Sequence, residues 1–199
     1  MRIYDISQEV FSSAVYPGDP KPEKRLVSSI EKGELYNLTE LSMCAHNGTH
    51  LDAPAHFIKD GDTVDKIPLE KTVGKAYVCA RHGNLSGADA VNVIEEAKVK
   101  DIDCARKILI NGDAVITESA AEVFAEAEID LIGVTTQSVG PEGAPMAVHK
   151  ILLEKKVVLL EGLRLEGIED GVYFLCAQPL KLGGSDGAPV RAVLVDFGK

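Results

Sequence analysis

The chain has 199 residues, a formal net charge of −10 at pH 7 and a sequence pI near 5.0. Hydrophobic residues make up 45% and charged residues 26%, which is the composition of a globular protein, and the length favours one domain over residues 1–199. The acidic charge argues against nucleic-acid and membrane-surface partners, because phosphate groups and anionic lipids would be repelled. A small-molecule ligand is compatible with this composition.

Two further features indicate a cytoplasmic protein. The N-terminus lacks a signal-peptide pattern, and no apolar run approaches the ~20 residues that span a bilayer. The cysteines Cys44, Cys79, Cys104 and Cys176 contain no C-x-x-C pair, which predicts reduced thiols. Cys44 is also a candidate for contact with a functional site, because it lies two residues before His46.

Hydrophobic periodicity alternates between strand and helix along the chain. Strands are predicted at residues 2–7, 25–30, 36–43, 74–81, 105–111, 129–134, 157–163, 171–180 and 188–197, and helices at 86–100, 117–127 and 144–156. Ser86 is the expected N-cap of the first helix, Thr117 and Ser119 compete for that of the second, and Pro145 lies in the first turn of the third. The prediction is an α/β or α+β fold whose strand order is not determined.

The stretch HNGTHLDAPAH, from His46 to His56, holds three of the chain's five histidines and an aspartate. All four polar positions are even-numbered, so an extended backbone would direct His46, His50, Asp52 and His56 to one face. A straight strand would still separate His46 from His50 by ~13 Å, whereas ligand atoms around one ion lie ~3 to 4 Å apart. The chain is therefore expected to reverse through Asn47, Gly48 and Thr49.

Imidazole and carboxylate ligands together suit zinc, manganese or iron(II). A site with three protein ligands leaves coordination positions for water, whose pKa a bound ion can lower to ~7. The exception among the histidines is His82, which lies in a turn and is expected to be an ordinary surface residue.

The stretch HNGTHLDAPAHF resembles the H-x-G-T-H-x-D-x-P-x-H signature of the cyclase family of metal-dependent hydrolases, which includes bacterial kynurenine formamidase. The segments YDISQEV…YPGDPKPE, VHKILLEKKVVLLEGL and GSDGAPVRAVLVDF are also similar to the family, so the resemblance covers most of the chain. It implies a swivelling β/β/α-type single domain with a mixed central sheet, which assembles as a homodimer or homotetramer. The implied activity is hydrolysis of an amide C–N bond, with an aryl formamide such as N-formylkynurenine as the leading substrate and another cyclic amide or a lactone as the alternative.

The resemblance also implies specific roles. One or two divalent ions per chain are expected, zinc first and manganese as the alternative, with the signature aspartate shared between two ion positions. The implied metal ligands are His46, His50, Asp52, His149 and Glu161, and His56 is the implied acid/base. The residues themselves support Glu161, because a carboxylate at the end of an apolar strand is costly unless it is paired or bound to a cation. The stretch TTQSVG departs from the family pattern D-x-x-S-x-D at Thr135 and Gly140, which concerns the substrate rather than the metal chemistry.

Two other hypotheses are compatible with the residues. His50, Asp52 and His149 match the two-histidine, one-carboxylate triad of iron(II) oxygenases, although that triad leaves His46, His56 and Glu161 unused. A non-catalytic module could instead use a metal to brace its fold, in which case four protein ligands should close the coordination sphere.

Overall fold

A computed structural model of the chain describes residues 1–198, and within that range it forms a mixed α/β fold with three α-helices and a large mixed sheet. The strands are β1 (Arg2–Asp5), β2 (Glu23–Ser28), β3 (Leu38–Ser42), β4 (His50–Asp52), β5 (Val73–Ala80), β6 (Asn84–Leu85), β7 (Lys107–Asn111), β8 (Val115–Ile116), β9 (Leu131–Val134), β10 (Val158–Glu161), β11 (Gly171–Cys176), β12 (Gly187–Pro189) and β13 (Val193–Asp196). The helices are α1 (Gly87–Lys100), α2 (Glu118–Glu126) and α3 (Met146–Glu154). The predicted α/β class is confirmed.

The helix starts follow local capping chemistry. Ser86 caps α1 and forms a capping box with Asp89. Thr117, and not Ser119, is the N-cap of α2, and its hydroxyl accepts a hydrogen bond from the backbone N–H of Ala120. Pro145 is itself the N-cap residue of α3, one position before the first turn in which it was predicted.

Nine strands form one sheet in the order β1-β13-β11-β5-β7-β9-β10-β4-β12. The prediction of a single strand over residues 188–197 is wrong, because this segment divides into β12 and β13, which lie near opposite ends of the sheet. In a flat sheet seven strand spacings would separate them by ~34 Å, whereas the few residues between Pro189 and Val193 span at most ~14 Å. The sheet must therefore curl until its two ends approach each other.

The curled sheet has an apolar core on each side. Ile108, Ile110 and Leu159 face the three helices, while Leu109 and Leu160, at alternate positions, point into the interior of the curl. The parallel run of β5, β7, β9 and β10 is thus buried on both faces, as its continuous apolar sequence predicts. The two facing halves of the curled sheet form two β layers, and the helices form the third layer, which gives the β/β/α arrangement.

Two smaller pairs lie outside the large sheet. β6 and β8 form a short parallel pair that was not predicted. β2 and β3 overlap the strands predicted at 25–30 and 36–43, and they pair as an antiparallel hairpin whose residues are nearly all exposed. Among residues 1–198, none of the helices combines the length and the apolarity needed to cross a lipid bilayer.

Candidate active site

The predicted chain reversal is present before β4. Residues 45–49 form a turn and bend, in which Gly48 has a φ of 69° and the side chain of Asn47 accepts a hydrogen bond from the backbone N–H of Cys44 at 2.8 Å. The reversal brings the rings of His46 and His50 to 5.1 Å between centroids, edge to face. A continuous strand would have held them far apart.

Strand β4 places two signature side chains on one face. His50 and Asp52 are buried at the helix side of the sheet, whereas Leu51 between them points into the interior core. β4 lies between β10 and β12, and Glu161 at the end of β10 is directly opposite His50. Residues directly opposite in an antiparallel pair share a face, so Glu161 joins the same cluster.

A close approach of two backbone segments fixes this register. Gly162 has a φ of 70°, and a Cβ at this position would lie 2.6 Å from the carbonyl oxygen of Gly48. The carbonyl oxygen of Gly162 accepts hydrogen bonds from Thr49 Oγ1 at 2.6 Å and from Gln8 Nε2 at 2.8 Å. A glycine directly after Glu161 therefore lets β10 pack against the turn that carries the histidines.

Helix α3 contributes another histidine to the cluster. His149 is buried on the face of α3 that packs towards the sheet, and its Nδ1 donates to the carbonyl oxygen of Pro145 at 2.8 Å. The Nδ1 of His50 likewise donates to the carbonyl oxygen of Gly48 at 3.0 Å. In both rings this backbone bond leaves Nε2 facing the carboxylates.

The distances between these groups are those expected of metal ligands. Nε2 of His50 lies 3.5 Å from Asp52 Oδ1 and 3.3 Å from Glu161 Oε2, and Nε2 of His149 lies 3.5 Å from Asp52 Oδ2 and 3.2 Å from Glu161 Oε1. Atoms bound at ~2.0–2.2 Å to one ion are ~3 to 4 Å apart. The ligand atoms of His46, His50 and Asp52 form one group and those of Asp52, His149 and Glu161 form another, each within 4.8 Å. Asp52 belongs to both groups.

Asp52 is the buried centre of the site. Its side chain is 1% exposed, and its Oδ2 has no hydrogen-bond partner among the described residues. A buried carboxylate oxygen without a donor is costly unless a cation faces it. Burial alone would raise the pKa of Asp52, but the imidazole of His149, whose Nε2 lies 3.5 Å from Oδ2, and the hydrogen bond from His46 to Oδ1 at 2.8 Å hold the pKa well below its usual value, so the group is ionised.

The imidazoles respond to the same carboxylates. Burial favours the neutral ring of His46, but its hydrogen bonds to Asp52 and Asp186 outweigh that effect and raise the pKa of His46 to about 9. The pKa of His149 is likewise raised to about 10, because Asp52 and Glu161 outweigh burial. In the protein without a cation, both rings are therefore positively charged imidazolium groups at neutral pH, and a metal ion would displace one proton from each.

His56 lies beside the cluster on a short 3₁₀ helix, Pro54–His56. Its ring stacks on that of His46 at 4.1 Å between centroids, and its Nδ1 donates to Asp186 Oδ2 at 3.0 Å. Its side chain is 28% exposed, so it reaches the adjoining cavity. His56 therefore lies next to the two groups of ligand atoms that contain Asp52 and belongs to neither of them.

A cavity of about 380 Å³ opens onto the cluster. Its lining comprises Tyr16, Asp19, Cys44, His46, His50, His56, Phe57, Gln137, Ser138, Pro145, His149, Glu161 and Asp186. Cys44 lines the wall as suggested, and burial raises the pKa of its thiol.

The sequence analysis did not predict Asp186 as a site residue. The feature that could have indicated it is a single acidic residue in the glycine-rich stretch GGSDGAP. His82 is remote from the cavity, on the surface, paired with Asp113 at 2.6 Å.

The arrangement bears on the two other hypotheses. An iron(II) triad of His50, Asp52 and His149 does not account for His46 and Glu161, whose ligand atoms belong to the same two groups. A structural metal would be enclosed by its ligands, whereas His46, His50, His149 and Glu161 line an open cavity. The fold and the site together define a metal-dependent enzyme.

Comparisons with known proteins agree with this class. The Cyclase family model matches residues 4–159. The kynurenine formamidase of Salinibacter ruber is 32% identical over 208 aligned positions, which cover 98% of each chain. A solved structure described as a potential metal-dependent hydrolase with cyclase activity superposes with a TM-score of 0.81 at 26% identity, covering 100% of this chain and 99% of the other. Isatin hydrolase A of Labrenzia aggregata has the same fold, with a TM-score of 0.81 at 21% identity and coverage of 97% and 93%.

The chain belongs to the cyclase family, as the signature resemblance predicted.

Proposed function

We propose that this protein is a metal-dependent hydrolase that cleaves an amide C–N bond, with an aryl formamide such as N-formylkynurenine as its first candidate substrate. The observation that carries the proposal is the buried Asp52 carboxylate, which is shared by two groups of ligand atoms whose histidines and Glu161 line an open cavity. The kynurenine formamidase relative supports the formamide, and the hydrolase with cyclase activity supports the wider class.

The donor set fits one or two divalent ions, with zinc proposed first and manganese as the alternative. His46, His50 and Asp52 would hold one ion, and Asp52, His149 and Glu161 a second. Bound there, a divalent cation would supply Lewis acidity that polarises the substrate carbonyl and lowers the pKa of water.

His56 is proposed to transfer the protons. Water adds through its oxygen to the carbonyl carbon, and its proton passes to His56 Nε2. The C–N bond then breaks, the electron pair stays on nitrogen, and His56 Nε2 returns the proton to that nitrogen. Nδ1 is engaged by Asp186, so Nε2 is the nitrogen left for this exchange. Tyr16 and Phe57 provide aromatic walls for an aryl group.

Hydrolysis of a substrate panel tests the proposal. Protein stripped by chelation is reconstituted separately with zinc and with manganese, then assayed on formanilides, N-formylkynurenine, cyclic amides and lactones. Metal-dependent release of amine and formate from the formamides supports the proposal. Turnover confined to cyclic amides or lactones would move the substrate to that class, and turnover that is unchanged by chelation would overturn the metal-dependent mechanism.

The partner and compartment proposals have separate support. The β2–β3 hairpin exposes Leu26, Leu35, Leu38 and Leu41, and a two-stranded hairpin is marginally stable alone in water. We propose that this hairpin is covered by a second copy of the chain in a homodimer or homotetramer. A cytoplasmic location is proposed because all four cysteines are unpaired.

A further inference from the structure

We propose that Asp186 is a positioning residue that holds the acid/base His56 and the metal-ligating His46 through a single carboxylate oxygen. The inference rests on the proposed amide hydrolysis and adds a residue that the signature does not contain. Asp186 is the last residue of the loop before β12, and it is far from both histidines in the chain.

The geometry is that of one acceptor shared by two rings. Asp186 Oδ2 lies 2.9 Å from His46 Nε2 and 3.0 Å from His56 Nδ1. The two rings stack at 4.1 Å with an interplanar angle of 30°. His46 is also held by Asp52 through Nδ1, whereas the ring of His56 has Asp186 as its one hydrogen-bond partner among the described residues. Without Asp186, stacking on His46 would not select which nitrogen of His56 is protonated.

The backbone around Asp186 is fixed to the strand that carries the other ligands. Its carbonyl oxygen accepts a hydrogen bond from the N–H of Ala53 at 2.9 Å, and the following Gly187 pairs with Asp52. A Cβ on Gly187 would lie 2.6 Å from His46 Cε1, so the ring packs directly on this backbone. Asp186 is thus registered against Asp52 although its side chain is half exposed.

The shared oxygen has a different consequence for each histidine. In His46, Nε2–H donates to Asp186, so Nδ1, which lies 2.8 Å from Asp52 Oδ1, is the nitrogen that would give up its proton to a cation. In His56, Nδ1–H donates to Asp186 and Nε2 remains available to accept the proton of water and deliver it to the leaving nitrogen. Asp186 touches neither reacting atom; it selects the ring nitrogens that act.

The kinetic test uses Asp186→Asn and Asp186→Ala on formanilides whose anilines differ in basicity. Because a poor leaving group needs full protonation by His56, we expect kcat for p-methoxyformanilide to fall ~10–100-fold and kcat for p-nitroformanilide to fall much less. Asp5→Asn is the matched control, since Asp5 has the same 46% side-chain exposure and pairs with Arg191 outside the cavity. Equal losses on both substrates, or none, would overturn the positioning role.

A spectroscopic readout decides the inference independently of turnover. In zinc-loaded protein with ¹⁵N-labelled histidine, wild type should show His56 with its proton on Nδ1, and Asp186→Ala should move it to Nε2, while the exposed His82 keeps its signals. An unchanged His56 spectrum would contradict the inference. If wild type hydrolyses none of the amides, the proposed function fails, and this spectrum still shows whether Asp186 holds His56.

Discussion

Glu161, the last residue of the apolar strand β10, lies directly opposite His50 on β4, although the two residues are far apart in the chain. The pairing of β10 with β4 therefore brings Glu161 to the histidine signature, and helix α3 places His149 beside both. The buried Asp52 lies between these groups and contributes a carboxylate oxygen to both sets of ligand atoms.

Replacing His56 should separate catalysis from metal binding. His56→Ala is expected to lower kcat by ~10²–10⁴, the usual contribution of a positioned acid/base, while zinc content stays the same. His82→Ala is the control, because that ring is exposed and pairs with Asp113 at the surface. Hydrolysis by His56→Ala at the wild-type rate would show that His56 has no role in proton transfer.

Adding one methyl group behind His46 should disturb the metal site. In Gly187→Ala the new Cβ would lie 2.6 Å from His46 Cε1 and 2.8 Å from the carbonyl oxygen of Leu51, so the ring or the strand must move. We expect zinc affinity to fall ~10–100-fold in competition with a chromogenic chelator. Gly183→Ala, which meets nothing within 4 Å, should bind as wild type does. Equal affinities for the two variants would argue against His46 as a ligand.

Metal-free protein should lose stability as the pH rises. The folded-state pKa values of His46 and His149 are raised to about 9 and about 10, above the ~6.5 of an unfolded histidine. A raised pKa stabilises the fold fully below the unfolded value, and that stabilisation disappears as the pH rises through the folded value. Urea unfolding of chelator-treated protein should therefore give a lower free energy at pH 10 than at pH 6. Zinc-loaded protein, in which both rings are already deprotonated, serves as the control; an equal loss there would refute the assignment.

Charges on the β2–β3 hairpin should weaken self-association. Leu26 and Leu41 share one face of the hairpin, so Leu26→Asp combined with Leu41→Asp is expected to lower the mass measured by light scattering. Leu180→Asp changes a leucine as exposed as Leu41, at 59%, elsewhere on the surface and should leave the mass unaltered. If wild type is a monomer at all accessible concentrations, the hairpin proposal is wrong.

The sequence predicted the parts of the site that local chemistry determines. The alternation of His50, Leu51 and Asp52 indicated which side chains share a face, and Gly48 indicated the reversal before them. The cap of α1 also followed from Ser86, whereas the sequence left Thr117 and Ser119 as alternatives for the cap of α2. Such features depend on near neighbours in the chain.

Features that depend on distant pairing were not accessible in the same way. The division of residues 188–197 into β12 and β13 follows from the curl of the whole sheet, which strand patterns do not encode. Asp186 was missed for the same reason, because only the pairing of β12 with β4 brings it to His46 and His56. His149 and Glu161 were implied by the family resemblance rather than by spacing.

Zinc binding by Asp52→Asn tests the central claim most directly. Asn keeps the size of the side chain but removes the charge that both groups of ligand atoms share. Elemental analysis after zinc reconstitution and dialysis should find zinc in wild type and almost none in the variant, with a loss of affinity beyond the ~100-fold typical of residues behind the ligands. Full zinc occupancy in folded Asp52→Asn, equal to that of wild type, would contradict a metal centre built on Asp52.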